Sequence, residues 1–215
     1  MEEQIVVHKR FKTLATVMYV LSFIVMIIDG LVAAGVVIGG IVLAIMPVDE
    51  VMGILSNLTM DASLETPGGA VTITEEILSY VNPDKTMLML LLLLSLLNVL
   101  IILFIIILVN RWLANLRKGN ILTVQNSKYI EYIGYSFVAF ALMEMLMSIA
   151  VSLLIKSSIA ISELPADFRE FFDIENIGIT FDINLIPVFA GILIWMIAKS
   201  LKYGSYLQDE YDQTV

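Results

Sequence analysis

Residues 87–109 read MLMLLLLLSLLNVLIILFIIILV, an apolar run interrupted by one serine and one asparagine. About 20 predominantly apolar residues are enough for a helix to cross the hydrocarbon layer of a membrane. In lipid the backbone N–H and C=O groups must pair within the segment, which a helix achieves. This stretch alone predicts an integral membrane protein.

The composition of the whole chain supports the same class. Of its 215 residues, 59% are hydrophobic and 15% are charged, and the mean hydropathy is +0.92. Soluble domains average about 45–50% apolar and about 25% charged residues. The net charge of -9 excludes a basic nucleic-acid-binding protein, and the hydrophobicity excludes an acidic disordered chain. The chain has no cysteine, which excludes disulfides, thiolate nucleophiles and Cys-bound metals.

Four stretches satisfy the length criterion for a membrane-crossing helix. We interpret the first as a retained helix and not as a signal peptide, because it is about twice as long as a signal-peptide core of 7–15 residues. The chain is therefore predicted to be a single membrane domain, an all-α bundle of four transmembrane helices. The predicted spans are 14–46, 87–109, 133–155 and 183–201. They leave outer loops 47–86 and 156–182, an inner loop 110–132 and a tail 202–215.

The distribution of Lys and Arg predicts the orientation. Nine of the twelve lie on the side of the chain termini, and the side richer in Lys and Arg is normally cytoplasmic. We therefore expect a multi-pass protein of the cell membrane with both termini in the cytoplasm. The two outer loops carry thirteen Asp and Glu against three Lys and Arg, a local charge of -10, whereas the inner segments carry +3. The acidity of the chain is thus a property of its outer face.

The outer loops are patterned and predict a small mixed α/β cap. Residues 51–58 place apolar side chains at the spacing of a short amphipathic helix. A turn is predicted at 66–69, followed by strand composition at 70–74. Residues 177–183 alternate apolar and polar side chains, the period of a half-buried strand. We expect these two strands to pair, in a cap that either senses a ligand or covers the helix ends.

The inner segments carry helix-end signals and exposed charges. Gly119 is placed to terminate the second helix, and Thr123 to cap the start of the third. The cations of this connection either attract anionic lipid headgroups or only set the orientation. The acids of the tail either contact a cytoplasmic partner or are simply solvated. The candidate contact residues are Arg111, Arg117, Lys118, Asp209 and Glu210.

No stretch of the chain matches an enzyme motif. The sole histidine, His8, precedes the first span. Acid–base or metal chemistry by histidine would therefore depend on a single solvated residue. Phosphate-binding, dinucleotide-binding, zinc-protease and serine-nucleophile patterns do not occur. The sequence therefore predicts a protein that is not an enzyme and has no catalytic residue, no metal and no cofactor.

Three polar residues fall inside the predicted spans. Asp29, Asn98 and Glu144 lie close to the midpoints of the first three spans, which predicts a common depth near the bilayer centre. Ionisable groups there cost about 2.5–3.5 kcal/mol on insertion scales and usually face the bundle interior. We expect at least one carboxyl to be protonated at neutral pH, because desolvation disfavours the charged form. The trio is either a proton- or cation-responsive site or a set of polar contacts between helices.

The first span also contains a pair of glycines spaced for helix packing. Gly35 and Gly39 form a G-x-x-x-G motif, in which small residues allow two helix backbones to approach closely. We expect this face to pack against another helix of the chain or, in a homo-oligomer, against a second copy.

The cytoplasmic connection and the C-terminus carry a resemblance to a known family. Gly119–Thr123, Asn126, Tyr132–Gly134 and Leu207–Val215 are similar to segments of a bacterial family of small four-span membrane proteins, domain of unknown function 2975. The resemblance implies four spans with both ends inside. It also implies a frequent genomic neighbour, a small helix-turn-helix transcription regulator.

Three functional hypotheses remain open at the level of the sequence. The first is a non-enzymatic membrane regulator or sensor, which detects a cationic ligand or membrane stress outside and engages the helix-turn-helix regulator inside. The second is a small oligomeric transporter, or a transporter subunit, that couples to protons or cations through the polar trio. The third is a self-immunity protein that binds a cationic peptide at the acidic outer face. Expected partners are membrane lipids and these proteins or peptides, without direct nucleic-acid binding.

Overall fold

Four long helices make up most of the described chain. The computed structural model describes residues 2–47, 50, 53, 63–66, 69–72, 84–120, 123–158 and 183–214. Within these residues, four helices are long and apolar enough to cross a membrane, which confirms the prediction of four spans. They are α1 (Glu2–Ile45), α2 (Lys85–Arg117), α3 (Val124–Ser158) and α4 (Leu185–Thr214).

The helices extend beyond the predicted spans. The 44 residues of α1, at about 1.5 Å each, reach about 66 Å, roughly twice the hydrocarbon thickness of a bilayer. The predicted inner loop 110–132 is helical at 110–117 and at 124–132, and the tail 202–215 is helical through Thr214. We call residues 202–214 the α4 extension.

The turn between α2 and α3 is fixed by backbone hydrogen bonds. Gly119 adopts φ 85°, a left-handed conformation that glycine reaches without a steric penalty. Its N–H donates to the Leu116 carbonyl at 3.0 Å, and the Asn120 N–H donates to the Asn115 carbonyl at 3.2 Å. This pair of bonds is the Schellman motif that ends many helices. The predicted helix stop at Gly119 is therefore confirmed.

Side chains cap the starts of the next helices. Thr123 Oγ1 accepts a hydrogen bond from the Asn126 N–H at 3.2 Å, as predicted for the N-cap of α3. Asn184 Oδ1 accepts from the Ile186 N–H at 3.1 Å and so caps α4. Each cap satisfies a backbone donor that the first helical turn leaves unpaired.

The chain forms two compact units, of which the first contains the larger part of each of the four long helices. It comprises Met1–Ala34, Leu97–Glu144 and Ile183–Val215. Here α1 contacts α2 through Asn110 Nδ2, which donates to Ser22 Oγ at 3.0 Å, and α3 contacts α4 along much of its length. The helices of each contacting pair run antiparallel. We call the end where residues 118–123 join α2 and α3 the connection end.

The second unit comprises Gly35–Leu96 and Met145–Asp182. In it Lys85 Nζ donates to the carbonyls of Ala44 and Met46, at 3.0 and 3.2 Å, where α1 ends. A cation at this position also interacts favourably with the negative end of the helix dipole.

A short hairpin follows α1 in the second unit. Strand β1 (Ser63–Thr66) pairs antiparallel with β2 (Gly69–Thr72), with Ser63 opposite Thr72. In the described part of the chain, β2 pairs with β1. Its pairing with the second outer loop stays a prediction. The predicted turn residues 67 and 68 and the predicted strand at 177–182 lie outside the described residues. So does the amphipathic helix at 51–58, apart from Gly53, which is helical.

The buried residues of the described chain include many small and polar ones beside leucines and isoleucines. Large apolar side chains are exposed along α1 and α4, including Leu31, Ile45, Ile186 and Phe189. A soluble protein rarely exposes apolar patches of this extent, whereas lipid tails solvate them. The buried residues include Ala15, Ala141, Ala150, Ala198, Asn126, Ser127, Ser136 and Ser205.

A close backbone approach between two helices lies at two glycines in the first unit. A Cβ on Gly134 would lie 2.8 Å from the Gly191 carbonyl oxygen, and one on Gly191 would lie 2.6 Å from the Gly134 carbonyl oxygen. No real Cβ tolerates such distances, so α3 and α4 pack at this separation only because both side chains are hydrogen.

The predicted packing glycines have a different environment. Among the residues that the structure describes, a Cβ on Gly35 or Gly39 would meet no atom within 4 Å. The described residues thus show a close helix contact at Gly134 and Gly191 and none at Gly35 and Gly39. Packing of Gly35 and Gly39 against a second copy stays a prediction.

These environments predict opposite responses to the same substitution. Gly191→Ala should lower the free energy of unfolding by about 1–3 kcal/mol, because the new methyl group overpacks the α3–α4 contact. Gly35→Ala should not lower the free energy of unfolding, since its methyl group meets no described atom and alanine is the better helix former. Thermal unfolding of the two purified variants in detergent measures both. Equal destabilisation by the two substitutions would contradict the assigned contact.

Candidate functional site

A buried asparagine organises the connection end. Asn126 is 1% exposed. Its Nδ2 donates to the Asn120 carbonyl at 2.5 Å, and its Oδ1 accepts from Asn115 Nδ2 at 2.8 Å. One side chain therefore ties the end of α2, the turn and the start of α3 together. Asn120 and Asn126 belong to the segments that carried the family resemblance, and here they fix the shape of the turn.

A polar network joins α3 and α4 near the same end. Lys199 Nζ and Glu131 Oε1 form an ion pair at 2.6 Å. Tyr135 donates from its hydroxyl to the same Glu131 oxygen at 3.0 Å, and Trp195 Nε1 donates to the Tyr135 hydroxyl at 3.1 Å. Lys199 Nζ also lies 5.3 Å from the centre of the Trp195 ring, within cation–π range.

This network was not predicted from the sequence. Glu131 and Lys199 were counted only as inner-side charges, and Tyr135 and Trp195 lie inside predicted spans. A signal does exist in retrospect: Glu131 and Tyr135 lie four residues apart on α3, as do Trp195 and Lys199 on α4, so each pair shares a helix face. Which two faces meet depends on the close approach at Gly134 and Gly191.

The predicted contact cations differ in their surroundings. Arg117 lies over the ring of Tyr19, with 4.7 Å from its guanidinium carbon to the ring centre. Tyr19 in turn packs against the buried cluster of Ala15, Leu113 and Leu116, which joins α1 to α2. Arg111 and Lys118 are exposed. Of the five predicted contact residues, Arg117 is thus the one held against the protein by a described aromatic contact.

The acidic candidates lie in the α4 extension. Glu210 is exposed, and the side chain of Asp209 lies outside the described residues. One face of the extension also exposes hydrophobic side chains: Tyr203, Tyr206 and Leu207 fall at i, i+3 and i+4 and are 66%, 49% and 48% exposed. Lys202 Nζ lies 5.9 Å from the centre of the Tyr206 ring.

The polar trio of the predicted spans is not joined into one cluster. Asp29 and Asn98 are half-buried, and the Oδ2 atom of Asp29 is buried without a hydrogen-bond partner in the described part of the chain. Glu144 Oε2 accepts a hydrogen bond from Asn184 Nδ2 at 3.3 Å. No hydrogen bond among the described residues links any two of Asp29, Asn98 and Glu144. A proton shared between them stays a prediction.

The contact with Asn184 locates Glu144 along the helices. Asn184 is the residue before α4 begins, so Glu144 lies beside the start of that helix and not beside its middle. Asn184 was not singled out from the sequence, although an asparagine ahead of an apolar run is a typical helix cap. Its amide serves two purposes, since Oδ1 caps α4 and Nδ2 binds Glu144.

Four long apolar helices that expose many large apolar side chains define a multi-pass membrane protein. Comparison of the chain with protein-family models, with curated proteins and with solved structures finds no match. Among the described residues, no group of three or more His, Asp or Glu side chains is placed to hold a metal ion.

The role assigned to Asn126 predicts a specific loss of stability. Asn126→Leu keeps a branched side chain of four heavy atoms but leaves the Asn120 carbonyl and the Asn115 amide without this partner. We expect the free energy of unfolding to fall by about 1–3 kcal/mol, the cost of unsatisfied buried polar groups. Asn120→Ala is the matched control, because the bond uses its backbone carbonyl and not its side chain. An equal shift of the unfolding temperature in both variants would refute the role assigned to the Asn126 side chain.

Proposed function

We propose that the chain is a non-enzymatic regulator or sensor of the cell membrane with both termini in the cytoplasm. The connection end then faces the cytoplasm. This orientation is supported by the charges at that end, where Arg111, Arg117, Lys118, Lys128, Lys199 and Lys202 are found. Lys and Arg next to membrane spans are strongly biased to the cytoplasmic side.

The observation that carries the regulatory role is the continuity of α4. It runs as one helix from Leu185 to Thr214, through its apolar segment and into the polar extension. A displacement of its first residues therefore reaches the extension without a break in the helix. The extension offers the exposed face of Tyr203, Tyr206 and Leu207 together with cations and acids. Such a mixed face suits binding to a soluble protein.

The cytoplasmic partner we propose is a small helix-turn-helix transcription regulator. This assignment rests on the family resemblance of the connection and the C-terminus. A regulator held at the membrane is kept away from DNA, so release from the α4 extension would change transcription. The protein itself binds no nucleic acid in this scheme.

The stimulus we propose is a cationic ligand or membrane stress at the outer face. The two outer loops carry a charge of -10, which attracts cations. The proposed receptor is a mixed cap of both outer loops, of which the β1–β2 hairpin is the described part. The second outer loop leads directly into α4, which gives the stimulus a covalent route to the extension.

Co-purification from native membranes tests the proposed partner. We expect a helix-turn-helix protein to be recovered with the wild-type chain and to be reduced at least tenfold with Tyr203→Ala/Leu207→Ala. Ile186→Ala/Phe189→Ala is the control, since it removes two exposed hydrophobic side chains from the other end of α4. Failure to recover such a protein with the wild type, or equal recovery with both variants, contradicts the proposal.

A second candidate function is proton- or cation-coupled transport by an oligomer. It is favoured by the buried, unpartnered oxygen of Asp29 and by the Glu144–Asn184 contact in the first unit. Ionisable groups inside membrane segments commonly mark ion pathways. Four helices form a small transporter, so several copies would be needed to enclose a path.

Flux measurements separate the two candidates. A transporter reconstituted in liposomes should move protons or a cation, and Glu144→Gln, which keeps hydrogen bonding to Asn184 but cannot ionise, should abolish that flux. The regulator hypothesis predicts no flux above protein-free liposomes for either form. Flux that is present in the wild type and unchanged in Glu144→Gln would exclude Glu144 from the pathway.

A further inference from the structure

An open groove lies between α2 and α3 within the first unit. It encloses about 410 Å³, which falls in the range of about 300–1,000 Å³ typical of small-molecule sites. One wall is formed by apolar side chains of α2 between Leu97 and Phe104, and the other by Tyr132, Tyr135 and Ala139 of α3. The small side chain of Ala139 leaves room between the two helices.

The position of the groove favours an occupant from the bilayer. Leu97, Leu100 and Phe104 are among the exposed hydrophobic residues of α2, and α2 is a membrane-crossing helix. Lipid tails are the solvent of such a surface. The apolar part of the groove therefore suits an acyl chain.

The connection end of the groove is flanked by two cations. Arg111 follows Phe104 by seven residues, which is two helical turns, so both lie on one face of α2. Lys128 precedes Tyr132 by four residues and shares its face of α3. Both cations are exposed, and within the described ranges neither forms an ion pair.

Neighbouring charges leave these two cations available for an anion. Glu131, the acid that Tyr135 contacts, is already paired with Lys199. Tyr132 is 52% exposed, and among the lining residues of α3 it is the one that follows Lys128 most closely. Its hydroxyl therefore adds a hydrogen-bond donor at the same end. The groove therefore changes from apolar to cationic along its length, the pattern of a lipid with an anionic headgroup.

We propose that this groove is a binding site for an acidic glycerophospholipid. One acyl chain lies against Leu97–Phe104 and Ala139, and the phosphate is bound by Arg111 and Lys128 with the hydroxyl of Tyr132. Acidic lipids are preferred over zwitterionic ones, because an ammonium headgroup offsets the attraction of the two cations. The site goes beyond the regulatory role and requires no protein partner.

Lipid retention by the purified full-length chain tests the headgroup half of the site. Native mass spectrometry compares phosphatidylglycerol with phosphatidylcholine carrying the same acyl chains. We expect tighter binding of phosphatidylglycerol, weakened on the order of tenfold in Arg111→Gln/Lys128→Gln. Lys12→Gln/Lys202→Gln is the control, since it removes the same charge from α1 and α4, neither of which lines the groove. Equal weakening in both double variants, or equal affinity for the two lipids, would overturn the proposal.

Filling the groove tests the acyl-chain half independently of charge. Ala139→Trp should reduce phosphatidylglycerol retention by a similar factor, because the indole occupies the space between α2 and α3. Leu142→Trp is the matched control, as it is exposed on α3 but does not line the groove. Retention that is unchanged in Ala139→Trp, or reduced equally in Leu142→Trp, would show that the lipid does not occupy this groove.

Discussion

The close approach of α3 and α4 at Gly134 and Gly191 determines much of what the first unit can do. In lipid, helices gain no hydrophobic free energy from packing together, so backbone proximity and polar contacts decide how they associate. A single Cβ at either glycine would collide with the carbonyl of the other. The register set by this contact brings Glu131 to Lys199, and Tyr135 to Trp195. The polar network at the connection end thus depends on the absence of a Cβ atom at Gly134 and at Gly191.

The number of spans and the turn at 118–123 were predictable, because they rest on local properties. An apolar run such as 87–109 identifies a span whatever its neighbours are, and Gly119 and Thr123 act on the helices beside them. The choice of packing glycines was not predictable. Gly35 and Gly39 carry the recognisable spacing, yet Gly134 and Gly191 make the contact and belong to different helices. A glycine motif within one helix shows that this helix can be approached closely. Which helix approaches it depends on the tertiary packing, which the motif does not encode.

The polar trio shows the same limit for a candidate site. Span midpoints placed Asp29, Asn98 and Glu144 at one depth, on the assumption that helix ends coincide with membrane boundaries. The helices are longer than the membrane, and Glu144 lies beside the start of α4, where Asn184 binds it. Similarly, the sequence offered lipid contact as one of two roles for Arg111 but could not predict the groove, since α2 and α3 contribute one wall each. The pattern of charges was sufficient to identify the basic connection end. The packing of α2 against α3 was needed to locate a candidate binding site beside it.

The central claim is that the molecule is polarised across the membrane, with the basic connection end in the cytoplasm and the acidic loops outside. The chain has no cysteine, so single introduced thiols report on position without interference. Asn120→Cys at the connection end and Ser157→Cys near the end of α3 are both exposed sites and leave the charge unchanged. In intact cells, a membrane-impermeant maleimide should label Ser157→Cys at once and Asn120→Cys only after permeabilisation. Labelling of Asn120→Cys in intact cells, with Ser157→Cys protected, would reverse the orientation and contradict the account.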